Sequence, residues 1–200
     1  MDTARPLTAS DADTRRAAIM AAAFEVFASY GFRRTSMEDI ARKAGVSRAL
    51  LYQHFSNKED IIRSLVQRYF DGVIAQVRIT LETPAPLPDV LRDAFRAKMG
   101  PVMEVILQSP HGAELLDPAN ANCTDLVRSG EESLASLFTD WLARAEVEGL
   151  VDLAPFGTAA DTARTMLAAA AGLKSPGTTP AQFYAASDRL ASLFARGLAP

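Results

Sequence analysis

The run Gly31-Phe-Arg-Arg-Thr-Ser-Met-Glu-Asp-Ile-Ala-Arg-Lys-Ala-Gly-Val-Ser-Arg-Ala-Leu-Leu-Tyr-Gln-His-Phe-Ser-Asn-Lys-Glu59 decides how this chain folds, because it holds two helix starts with a helix stop between them. The Ser36 hydroxyl can accept from the amides of a first helical turn, and Asp39, three residues on, can reach back to the cap. The apolar pair Ile40 and Ala41 follows, and Gly45 ends the helix, since glycine takes the left-handed conformation at a helix C-terminus without steric cost. Val46 then plugs inward, and Ser47 caps a further helix from Arg48 to about His54. Two short helices joined by about four residues form a helix-turn-helix unit.

On the second of these helices the spacing exposes Arg48, Ala49, Leu50, Tyr52 and Gln53, while Leu51 and Phe55 turn inward. A capped helix with a positive dipole end and an exposed side of this composition can lie in a major groove of duplex DNA. Arg48 can donate to guanine edges or to phosphate, and Ala49 and Leu50 can touch thymine methyl groups. Tyr52, His54 and Lys58 are placed to hold phosphates, contacts that set register rather than sequence.

Outward from this unit the apolar residues recur at helical spacing, and no alternating strand pattern survives. Upstream, Ile19, Ala23, Val26, Phe27 and Tyr30 form one stripe that ends at Gly31. Downstream, Ser56 to Glu59 open a long helix with Ile62, Leu65, Val66, Tyr69 and Val73 inward, and the prolines of Thr83–Pro88 then force a loop. Leu91, Phe95, Met99, Met103 and Ile106 share a face interrupted by Gly100-Pro101, where the proline ring should clash with the carbonyl of Ala97 and kink the helix. After Pro110 and Pro118, a stripe from Leu126 through Trp141 to Ala145 stops at Gly149, with Glu131-Glu132 read as a solvated face. Two further helices, 159–173 and 181–198, flank the turn at 174–180.

The 200 residues are 48% hydrophobic and 22% charged, an ordinary globular profile without a secretory start or an apolar run long enough to span a membrane. The single cysteine, Cys123, excludes an intrachain disulfide framework, so the expected location is the cytoplasm. Net charge is −3, but residues 15–58 hold eight Arg/Lys against three acids, a local +5 that leaves −8 for the remainder. A basic segment on an acidic body suits a DNA-binding head, although a solvated charged face gives the same balance.

The quoted stretch resembles the head of tetracycline-repressor (TetR) family regulators. The resemblance implies an all-α fold of about nine helices: an N-terminal three-helix helix-turn-helix domain at 14–60, after a flexible tail at 1–13, and a helical effector-binding and dimerisation domain at 61–200. It further implies that the residues matching Tyr52, His54 and Lys58 contact phosphates, that Ser36 meets the DNA backbone, and that Ser47, Arg48, Ala49 and Leu50 read bases. The expected partners are double-stranded operator DNA, a second copy of the chain, and a small-molecule effector, largely apolar, that releases a repressor from a pseudo-palindromic operator by shifting the fourth helix.

Phe95, Met99 and Met103 near the proline, with Phe138 and Trp141, are candidates for the wall of an effector cavity, and equally for plain core. Ala163 and Ala170, with Phe183, Leu190, Leu193 and Phe194, are candidates for a four-helix interface between two copies, or for packing within one chain. No enzyme, cofactor or metal site is expected: His54 and His111 are the only histidines, neither is spaced with Cys123 or acids as metal ligands are, and no phosphate loop or nucleophile elbow occurs. Cys123 reads as a packed thiol before a redox sensor. Three function classes stay open: a ligand-responsive DNA-binding regulator, a DNA-binding protein without a small-molecule effector, and a helical adaptor that has lost DNA binding.

Overall fold

The computed structural model describes residues 9–117, 119, 122–174 and 178–200, which form nine helices and no strand. These are α1 (Ala9–Tyr30), α2 (Met37–Ala44), α3 (Arg48–His54), α4 (Lys58–Glu82), α5 (Leu87–Gln108), α6 (Gly112–Leu116), α7 (Thr124–Val147), α8 (Ala159–Gly172) and α9 (Pro180–Gly197). The tail expected at 1–13 lies outside the described residues up to residue 8, and from Ala9 the backbone is already helical. Pro118 and the centre of the turn at 174–180 also lie outside them. Pro88, expected in the loop, sits in the first turn of α5, where a missing amide proton leaves no helical hydrogen bond unmade. No described helix is long and apolar enough to cross a membrane.

Contacts divide the chain into two units: Met1–Val66 with Ser109–Cys123, and Gln67–Gln108 with Thr124–Pro200. The first unit is built around Ile19, Ala23 and Phe27 of α1, Ile40 of α2, Leu51 of α3, Phe55 and Ile61, each at most 1% exposed. Tyr30 departs from its expected inward place and is 64% exposed, because the chain leaves the helix there. Phe32 takes the position instead, edge-on to Phe27 with ring centroids 5.3 Å apart. Segment 109–123, which shows only prolines and a short break in the sequence, adds Leu115 and the buried Cys123 to this core. It is tied to α1 by the Ser109 hydroxyl, which donates to the Ala28 carbonyl at 2.6 Å.

In the second unit α5 packs on α9, α7 on α8, and α8 on α9. Its interior holds Leu91, Phe95, Met99, Leu134, Phe138 and Met166, all at most 1% exposed. The expected kink in α5 is a full break. Gly100 has φ 64° and ψ 160°, outside the helical region, because the ring of Pro101 disfavours helical geometry in the residue before it and glycine can leave through positive φ. Elsewhere α7 and α4 meet closely: a Cβ added at Gly130 would fall on the Phe70 ring.

That closeness gives a stability test. Gly130→Ala should destabilise the protein by about 1–3 kcal/mol through overpacking. Gly72→Ala, on α4 with nothing within 4 Å of its added Cβ, should stabilise by up to about 1 kcal/mol through helix propensity. Urea unfolding of the two variants checks both signs, and equal stability of Gly130→Ala and the parent would contradict the α4–α7 packing.

Candidate nucleic-acid interface

Three local devices fix the helix-turn-helix. Ser36 caps α2: its hydroxyl accepts from the Asp39 amide at 3.2 Å, and the Asp39 carboxylate accepts from the Ser36 amide at 3.0 Å. The Ser36 hydroxyl and amide, then the neighbouring Arg42, hold the Asp39 carboxyl below its ordinary range. A depressed carboxyl contributes stability above its ordinary pKa and loses it as the pH falls through the lowered value, so this cap weakens only in acid. Gly45 has φ 65° and ψ 29°, and the amides of Gly45 and Val46 donate to the Arg42 and Ala41 carbonyls at 3.3 and 3.0 Å, closing α2. Ser47 then caps α3 by accepting from the Leu50 amide at 3.1 Å.

This turn orients α3. Leu51 is fully buried and Phe55 is 1% exposed, while Arg48, Ala49 and Gln53 are exposed and Tyr52 is 44% exposed. Ser36 and Ser47 also face solvent, and Leu50 and His54 are half-buried. The Arg48 guanidinium lies 5.6 Å from the centroid of the Tyr52 ring, on the same side of the helix. Eight of the nine expected contact residues therefore keep surface around α3 and the α2 cap, and the ninth, Lys58 at the start of α4, is half-buried like Leu50 and His54.

Lys58 is different. Its ammonium donates to the carbonyls of Phe32, Arg33 and Thr35 at 2.8, 3.1 and 3.0 Å, and it sits 4.7 Å from the centroid of the Phe32 ring. An ammonium has three protons, and all three are occupied in tying the start of α4 to the turn before α2. In this structure Lys58, expected to hold a phosphate, clamps that turn. Arg16, which the sequence left unremarked, acts at the other end of α3. Its guanidinium donates to the His54 carbonyl at 3.0 Å and to the Ser64 hydroxyl at 2.9 Å while stacking 4.2 Å from the Phe55 ring centroid. A cation at a helix C-terminus is favourable, but thirty-eight residues separate it from its partner and no local pattern signals the pairing. The Glu114 carboxylate likewise accepts from the Arg33 amide at 2.8 Å.

In the second unit, Phe95, Met99, Met103, Phe138 and Trp141 are all at most 9% exposed, with the Phe95 and Phe138 rings 6.2 Å apart. Two open grooves lie elsewhere in that unit. One, of about 400 Å³, is lined by Ile79, Thr83, Val90 and Arg96, and another, of about 520 Å³, by Leu87, Leu150 and Ala195. Of the expected interface residues, Ala163, Ala170 and Phe183 are buried within the single chain, where α8 packs on α7 and α9 on α5. Leu190 and Phe194 are half-buried and Leu193 is 68% exposed, so these three retain surface. Among the described residues no group of three His, Cys, Asp or Glu side chains is arranged to hold a metal.

The family model described as "Bacterial regulatory proteins, tetR family" matches residues 19–65, from the middle of α1 into α4. Over this stretch, which is less than half of its length, the chain is similar to the tetR family. The HTH-type transcriptional activator FasR of Mycolicibacterium smegmatis is 40% identical over 85 residues, covering 42% of this chain and 39% of that protein. The HTH-type transcriptional repressor KstR2 of Mycobacterium tuberculosis is 32% identical over 89 residues, covering 44% of each. The chain thus matches less than half the length of either relative. The fold extends further: the fatty acid degradation regulator FadR from Bacillus halodurans superposes with a TM-score of 0.71 over 92% of this chain and 96% of that one, at 17% identity.

Within this tetR-type head the clamp and the anchor are separable from DNA. Lys58→Met should leave three carbonyls short of a donor and cost about 1–3 kcal/mol, and Leu51→Ala should cost about 2–5 kcal/mol. Thermal unfolding without DNA checks both, and a Lys58→Met protein as stable as the parent would contradict the clamp.

Proposed function

We propose that the chain is a homodimeric transcriptional regulator whose two α3 helices enter successive major grooves of a pseudo-palindromic operator. A small molecule held in the second unit releases it, in the manner of a repressor. The observation that carries this reading is the two-sidedness of α3: Arg48, Ala49, Tyr52 and Gln53 are exposed beside a capped N-terminus, while Leu51 and Phe55 are sealed in the core. Arg48 supplies a bidentate donor for guanine, Ala49 and Leu50 meet thymine methyl groups, and Tyr52, Gln53 and His54 hold phosphates or neighbouring base edges. Ser36 and Ser47 present hydroxyls and cap amides to the DNA backbone, and the local +5 of residues 15–58 supplies the nonspecific attraction. FasR is named an activator and KstR2 a repressor. Their names support control of transcription, and repression follows when the operator overlaps a promoter.

The dimer is proposed to use the surface left at Leu190, Leu193 and Phe194. Two-fold pairing would set the half-sites about one helical turn apart. For the effector, grooves of about 400 and 520 Å³ in the second unit fall in the size range of small-molecule sites. An effector that weakens operator binding must itself bind the DNA-bound form less tightly by the same factor. Cytoplasmic action and the absence of a cofactor belong to the same proposal.

A gel shift against the DNA upstream of the protein's own gene, repeated at rising salt, tests the reading. Affinity should fall steeply with salt as phosphate contacts release counterions. Arg48→Ala should cost about 1–3 kcal/mol and relax preference at one base pair. Salt-independent binding, or an Arg48→Ala protein with the parent's affinity and preference, would overturn the assignment of α3.

A further inference from the structure

Within the first unit, a single arginine side chain joins α3 to two other helices. Along the backbone α3 packs on α2, and among the described residues α1 and α4 approach it at isolated points at most. The half-buried side chain of Arg16, on α1, spans what the backbones leave open. One terminal guanidinium nitrogen donates at 3.0 Å to the carbonyl of His54, the last residue of α3. The other donates to the Ser64 hydroxyl on α4 at 2.9 Å. The centre of the same group lies 4.2 Å from the ring centroid of Phe55, the residue that caps the C-terminal end of α3.

Both terminal nitrogens are bonded inside the protein and one face of the group lies on Phe55, so what Arg16 governs is the direction in which α3 points. The seven residues of α3 span about 10 Å at about 1.5 Å per residue. A tilt of about 10° about the C-terminal end therefore carries Ser47 to Leu50 through about 1–2 Å. Hydrogen bonds to base edges do not survive such a displacement, since their length varies by only a few tenths of an ångström. The attraction of basic residues for phosphates changes little, because it decays over about 10 Å. Preference among sequences is thus far more sensitive to the angle of α3 than nonspecific affinity is.

We propose that Arg16 is a positioning residue for base readout. It ties the C-terminal end of α3 to α1 and α4, and so fixes the angle at which Ser47, Arg48, Ala49 and Leu50 meet the base edges without touching DNA itself. The proposal rests on the reading of α3 as the helix that enters the major groove. Lysine is no substitute, since an ammonium on a flexible stem lacks the planar fork that reaches two acceptors while lying on a ring. Ser64 supplies the α4 end of the same tie.

The test is fluorescence anisotropy of the full-length protein on two labelled duplexes of equal length, one from upstream of its own gene and one unrelated, read over a salt series. Arg16→Met should bind the upstream duplex at least about tenfold more weakly, a loss comparable to one mismatched base pair, and the unrelated duplex within about twofold of the parent, with an unchanged salt slope. Arg16→Lys keeps the charge and should not restore the lost preference. Ser64→Ala leaves the His54 carbonyl bonded and should show the same split to a smaller degree. Thermal unfolding of each variant fixes a temperature at which all are folded, and if Arg16→Met does not fold, Arg16→Lys and Ser64→Ala carry the test. Equal loss on both duplexes, with a salt slope shallower by about 0.9, would make Arg16 a phosphate ligand and overturn the proposal. Unchanged binding of both duplexes by folded variants would reduce Arg16 to a structural tie and overturn it as well. A parent that does not distinguish the duplexes would overturn the reading of α3 and this inference with it, whereas the two preceding outcomes leave that reading standing.

Discussion

Helix α3 has seven residues, too few to persist alone in water, and the head depends on the burial that holds it in place. Leu51 and Phe55 insert into a core shared with α1, α2 and the first turn of α4. Ser47 satisfies its first turn, and Arg16 satisfies its last carbonyl from a different helix. Only because one side is fixed so completely can the other present Arg48, Ala49, Tyr52 and Gln53 in one orientation. Lys58 does the same for the turn before α2.

The second unit follows different rules. Its helices bury long apolar faces, yet the interior near the α5 break also holds Lys98, whose ammonium lies 2.9 Å from a Glu131 carboxylate oxygen. Well-packed apolar residues of similar volume would serve stability at least as well as this ion pair. The break at Gly100 interrupts backbone hydrogen bonding two residues from Lys98.

Much of the head was legible because its signals are local. The Ser36–Asp39 box, the left-handed Gly45 and the Ser47 cap each occupy four residues or fewer, and each formed as the residue types dictate. What escaped depends on partners far apart in sequence: Arg16 with His54, Glu114 with Arg33, and Lys98 with Glu131. Tyr30 shows the limit of periodicity, since a stripe cannot tell its last member that the helix has ended. The five-residue α6 carries too few turns to show a period at all. Ala163, Ala170 and Phe183 show another limit: apolar spacing marks a face to be buried without saying whether the cover comes from the same chain.

The account's central claim is that the outer side of α3 is the surface that meets DNA. Backbone amide chemical shifts of isotope-labelled protein, titrated with duplex from its own upstream region and separately with unrelated duplex, test this at residue resolution. The account predicts large, sequence-dependent changes at Ser36 and along 47–53, with α3 remaining helical. Changes confined to α7, α8 and α9, or an α3 untouched by either duplex, would contradict it.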